Sequence, residues 1–81
     1  MTVKKGTRVV VRGPATFLRW VPAPRAVDAD LEVYDGTATG CRGAREVGTA
    51  APLAAYSYRV ARGLCVRAPG AGTVYYHPGA S

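Results

Sequence analysis

The sequence predicts an all-β domain, a small antiparallel β-sandwich or barrel of six to seven short strands. Three observations lead there. Apolar and polar residues alternate with period two in several short stretches. Turn-forming residues interrupt those stretches at intervals of roughly 8–12 residues. The 81 residues include 10 Gly and 6 Pro, a density that ends helices before they grow long.

Each element follows from the local pattern. Residues 1–6 read as an N-terminal arm with Lys4 and Lys5. Thr7–Arg12 alternates, with Thr7, Val9 and Val11 on one face and Arg8, Val10 and Arg12 on the other. Gly13-Pro14 ends it. Ala15–Val21 places Thr16, Leu18 and Trp20 opposite Phe17, Arg19 and Val21, and Pro22-Ala23-Pro24 stops that strand. Asp30–Asp35 turns Leu31 and Val33 one way and Asp30, Glu32 and Tyr34 the other. Asp35-Gly36 is a turn signal, and Thr37–Gly43 is a small, polar loop.

Residues 44–62 are ambiguous. Alternation in Leu53–Val60 favours a strand with Ala54, Tyr56, Tyr58 and Val60 inward. Pro52 and Gly63 at the two ends leave a helix as the alternative. Leu64–Ala68 and Thr73–Tyr76 are the last strands, and 77–81 is a C-terminal tail. A regular pleat then gives a core of Val9, Val11, Leu18, Trp20, Leu31, Val33, Tyr56, Tyr58, Leu64, Val66, Val74 and Tyr76. One domain, residues 1–81, is all this length supports.

Charge is unevenly spread. There are 11 Lys+Arg against 5 Asp+Glu, a formal net charge of +6. Residues 1–27 hold six bases and no acid, whereas 28–35 hold Asp28, Asp30, Glu32 and Asp35 and no base. That dipolar layout suits subunits meeting head to tail as well as it suits a polyanion. The acids read as a solvated strand face that blunts an edge against aggregation. No apolar run approaches the roughly 20 residues that cross a bilayer. No apolar segment follows the N-terminal lysines to make a secretory leader, so synthesis in a cytoplasm is expected.

No set of residues points to an enzyme, a metal or a cofactor. Cys41, Cys65 and His77 lack the close pairing of a zinc site. His77, the one histidine, falls in the expected tail and reads as an exposed residue rather than half of a Cys–His pair. Gly36–Gly43 lacks the Lys and the spacing of a phosphate loop. Cys41 and Cys65 are expected as two free thiols, with one bridge between them as the alternative. The residues left for a partner are Arg8, Arg12, Phe17, Arg19 and Tyr75, all on faces turned away from the expected core. Phe17 with Arg19 and Val21 makes β-strand 15–21 apolar on both sides, as at a protein–protein interface.

Leu31-Glu32-Val33-Tyr34-Asp35-Gly36-Thr37, followed by a small loop ending in Gly40, resembles a strand and turn of small tailed-phage virion proteins. The later Gly63-Leu64-Cys65-Val66 and Thr73-Val74-Tyr75-Tyr76 resemble their closing strands. Cys65 departs from the pattern, which has an aromatic or aliphatic residue there. The resemblance covers about residues 15–77. It implies a non-enzymatic structural protein of a bacteriophage virion, a capsid decoration or minor head protein made in the host cytoplasm. Its partners would be the major capsid protein or another virion protein, and copies of itself in an oligomer. Two alternatives stand beside it. One is a tail or head–tail connector subunit. The other is a basic β-barrel binding nucleic acid through Arg8, Arg12, Arg19, Arg59 and Tyr75.

Overall fold

Three consecutive valines resist a helix and fit a pleated surface, and Val9–Val11 lie in a strand. A computed structural model describes residues 1–79 of the chain. Its strands are β1 (Thr2–Val3), β2 (Gly6–Arg12), β3 (Ala15–Pro22), β4 (Leu31–Asp35), β5 (Arg45–Ala50), β6 (Ala55–Val60), β7 (Gly63–Ala68) and β8 (Gly72–Pro78), with one 3-10 turn at Thr39–Cys41. They form two antiparallel sheets, a front sheet in the order β1-β8-β3-β6 and a back sheet in the order β2-β7-β4-β5. This is the all-β sandwich that the alternation predicts, with eight strands rather than six or seven. Every connection except the β4–β5 hairpin crosses from one sheet to the other. Successive strands therefore line opposite walls of one core.

The expected arm and tail are both partly sheet. Val3 is 1% exposed and pairs with Gly72, while Thr2 pairs with Thr73. Met1 adds two backbone hydrogen bonds to Val74, its amino group donating to the Val74 carbonyl at 2.7 Å and its carbonyl accepting from the Val74 N–H at 2.8 Å. At the other terminus β8 runs on through His77 and Pro78, which pair with Thr16 and Ala15. Ala80 and Ser81 of the expected tail lie outside the described residues. Ala55–Val60 is a strand, as its alternation favours. Leu53, expected to begin it, sits in the preceding turn at φ 68° and is exposed.

The core differs from the regular-pleat expectation in two places, for one reason. In β3, Phe17 pairs with Tyr76 and Arg19 with Tyr75, so Leu18 is an extra residue. In β2, Val9 pairs with Cys65 and Val11 with Leu64, so Val10 is extra. Each bulge shifts the alternation by one residue. Phe17 and Trp20 are consequently both fully buried and Leu18 is exposed. Val10 is buried, whereas Val9 and Val11 are half-buried. Leu31, Val33, Leu64, Val66 and Val74 are buried as expected, and Tyr56, Tyr58 and Tyr76 pack at the core margin.

Glycine and tyrosine set the fit between the sheets. Gly72 lies flat against the Trp20 indole, and a Cβ there would collide with the ring. Trp20 Nε1 donates a hydrogen bond to the Ala29 carbonyl at 3.1 Å, so the ring is buried without an orphaned polar atom. Tyr58 crosses from β6 to the back sheet, where its hydroxyl donates to the Thr49 carbonyl at 2.7 Å. Its ring stacks on Tyr56 with centroids 5.1 Å apart. The Tyr56 hydroxyl accepts from the Ala51 N–H at 2.8 Å.

The two cysteines form a disulfide rather than free thiols, with their Cα atoms 5.7 Å apart. Cys65 falls on the side of β7 away from the core, and the loop after β4 folds back over it to present Cys41. Sequence spacing alone does not reveal that approach. The bridge fastens a nine-residue loop (36–44) with little regular structure to the centre of the back sheet.

Trp20→Ala is expected to cost roughly 3–5 kcal/mol in denaturant unfolding, the range for a fully buried aromatic. Cutting the disulfide with reductant should cost about 3 kcal/mol by loop entropy. Thiol titration of the native protein should find no free thiol before reduction and two after it.

Candidate functional site: an exposed sheet face and an arginine-rich end

The β3 bulge creates a surface as well as a core. With Phe17 and Trp20 turned inward, Leu18 and Arg19 both face solvent. Register places Arg19 between Tyr75 of β8 and Ala55 of β6. Leu18 is 38% exposed and Tyr75 52% exposed. Together with Val21, Ala55 and Tyr56 they line an open cleft of about 390 Å³. The outer face of the front sheet is therefore apolar at its middle, with one guanidinium set into it.

The five sequence-derived contact residues separate. Arg19 and Tyr75 are brought side by side on this face. Phe17 belongs to the core, because the bulge reverses its side of the strand. Its ring sits 6.1 Å from Tyr58 and 6.3 Å from Tyr56. Arg8 is exposed on the edge strand β2, in the other sheet, and Arg12 lies at that strand's far end. Leu18, expected in the core, is the face residue that sequence reasoning missed. The only signal for it was the three-residue spacing of Phe17 and Trp20, which a regular strand cannot bury together.

A second feature had no local signal at all. Arg12 closes β2, Arg45 opens β5, Arg59 is the penultimate residue of β6 and Arg62 lies in the β6–β7 turn. Topology brings these four to one end of the sandwich. The turn residues there are bonded to each other: Gly13 N–H donates to the Arg62 carbonyl and Gly79 N–H to the Pro14 carbonyl, both at 2.8 Å. Arg12 Nη1 donates to the Thr37 carbonyl at 3.2 Å. Arg45 and Arg59 line a cleft of about 320 Å³ with Pro14, Thr16, Asp35 and Gly79. Arg45 and Arg62 line a neighbouring one of about 250 Å³ with Asp35 and Gly43.

Asp35 is the acid at this end, and its carboxylate is already engaged. Oδ1 accepts from the Arg62 N–H at 2.9 Å and the Gly63 N–H at 3.3 Å, and Oδ2 from the Ala61 N–H at 3.1 Å. The sequence reading placed Asp35 in its own local turn. It instead caps a turn 26–28 residues away. Partial burial pushes its carboxyl upward, but the three N–H donors and Arg45 outweigh that and hold it below the ordinary 3.8.

The remaining acids sit elsewhere. Glu46 faces Tyr34 across the β4–β5 pair. Glu32 accepts a hydrogen bond from the Tyr34 hydroxyl, which, together with burial and the charge of Glu32, raises that phenol above 10.0. Asp30 and Glu32 line a depression at the opposite end of β4 with Lys5 and Arg67. Bases and acids are mixed there. Among the described residues no cluster of three or more His, Cys, Asp or Glu could hold a metal ion, and no helix is long and apolar enough to cross a membrane.

Asp35→Asn should lower stability by roughly 1–2 kcal/mol near neutral pH, as the turn loses a charged acceptor. Because the folded carboxyl titrates below 3.8, the wild-type advantage is full above that value and fades as pH falls through the folded pKa. Unfolding of the two proteins compared across the acid range should show their curves converging. Comparison with known protein families, with curated proteins and with solved structures found no match to this chain.

Proposed function

We propose that this chain is a non-enzymatic structural protein that docks through the outer face of its front sheet onto a larger protein assembly. One observation carries the reading: exposed Leu18, Arg19 and Tyr75, with half-buried Val21, line one cleft on paired strands. An apolar centre with an arginine and a tyrosine is the composition of an interface hot spot. A two-layered sheet domain also holds such a face in shape before binding, which limits the entropy lost on docking.

The assembly implied by the resemblance is a tailed-phage virion. In that setting the chain is a capsid decoration or minor head protein, its partner is the major capsid protein, and several copies act together. Many weak contacts on a lattice add up through high local concentration. The Cys41–Cys65 bridge suits a protein that must persist outside a reducing cytoplasm.

Purified particles provide the test. Wild-type chain should be present at a fixed ratio to the major capsid protein over the whole shell. Leu18→Asp and Tyr75→Ala should each reduce occupancy at least about tenfold, a hot-spot loss, while leaving thermal unfolding nearly unchanged. Copies sufficient for only one ring would favour the connector alternative. Absence from particles, or full occupancy by Leu18→Asp, would refute the docking face.

A further inference from the structure

We propose that the arginine-rich end of the sandwich is a binding site for the phosphate backbone of duplex nucleic acid, separate from the protein-docking face. Arg12, Arg45, Arg59 and Arg62 reach this end from β2, β5, β6 and the β6–β7 turn. Arg45 lines one cleft with Arg59 and a neighbouring one with Arg62, and Arg12 Nη1 bonds the Thr37 carbonyl. None of the four is a lysine. Arginine's fixed fork of donors matches phosphate oxygens two at a time, and its weak hydration lowers the cost of contact.

The single acid among them, Asp35, stays ionised and offsets one guanidinium, so four arginines against one carboxylate leave this end strongly positive. Asp35 is saturated by three N–H donors of the very turn that carries Arg62. Its role is to hold that turn, and so to aim part of the site. Glu46 is one residue from Arg45 but lies beside Tyr34, on the opposite side of β5. The mixed-charge end around Asp30, Glu32, Lys5 and Arg67 offers no comparable field.

The surroundings separate duplex nucleic acid from the other anionic partners. An acidic protein surface would be met with apolar side chains at the centre of the contact. The residues between these arginines are small or covered, Pro14, Ala15, Thr16, Val60, Ala61 and Gly79, and none of the large exposed apolar side chains (Met1, Leu18, Val27, Leu53 and Tyr75) lines this cleft. Single strands are held by aromatic stacking platforms, and Tyr75, the most exposed aromatic, lies on the docking face instead. Charge without a stacking platform or a large exposed apolar side chain is the chemistry of backbone contact that ignores base sequence.

The test is fluorescence anisotropy of a labelled DNA duplex of about 20 base pairs, titrated with the oxidised full chain from about 50 mM salt upward. Binding should be independent of sequence. With roughly 0.9 counterions released per phosphate contact, log affinity should fall against log salt with a slope of about −3 to −4. The double variant Arg45→Glu/Arg62→Glu should bind at least tenfold more weakly at low salt and lose about two units of that slope. Arg12→Gln/Arg59→Gln, which adds no negative charge, should lose about the same slope. Leu18→Asp should bind DNA as wild type does, so a failed docking face and a failed nucleic-acid site are read separately. Three results would overturn the site: no binding at low salt, wild-type binding by both arginine variants, or displacement of DNA by poly-glutamate at equal charge concentration.

Discussion

Much of this molecule depends on one extra residue in β3. Phe17 and Trp20 are the two largest fully buried side chains, and they stand three positions apart on one strand. A regular strand sends such a pair to opposite sides. The bulge at Leu18 turns both inward and leaves Leu18 and Arg19 outward together. With few large apolar residues in the chain, losing either ring would leave the core too thin for a domain of this size. The geometry that completes the interior thus also builds the exposed face: a change in the bulge would move both, whereas a side chain on the face can change without touching the core.

The second organising element is the division of labour between surfaces. The outer face of the front sheet is apolar with one guanidinium, whereas one end of the sandwich collects four. Strands fix both, but by different routes. The face is made by neighbours in register, and the end is made by the points where strands stop. Asp35 joins β4 to the β6–β7 turn and so ties the end to the core. The two surfaces lie on different parts of the sandwich, so each can be occupied without covering the other.

Period-two alternation is enough to read the sheet class and most strand positions, since β4, β6 and β8 alternate in burial and β7, covered on both sides, is a short apolar run between turn signals. Bulges were not legible in the same way. Val9-Val10-Val11 offers three identical side chains, so nothing in the letters says which is extra. The disulfide depends on a loop folding back over β7, a distance that no spacing encodes. β1 is two residues long, below the length at which alternation can be recognised. Arginines at or beside strand ends carry no shared pattern along the chain, so their gathering at one end emerges only with the topology. Tyr75 and Arg19 were found because each lies on a strand side that the pleat assigns directly.

The order of the front sheet has a consequence for how the polypeptide is made. β8 lies between β1 and β3, joining the first strand to the rest. During vectorial synthesis β1 and β3 leave the ribosome long before their shared neighbour exists. They must wait, with the Trp20 indole uncovered, until residues 72–78 have emerged. The front sheet is therefore closed by its latest strand, and the first segments of the chain stay unpaired until that strand arrives.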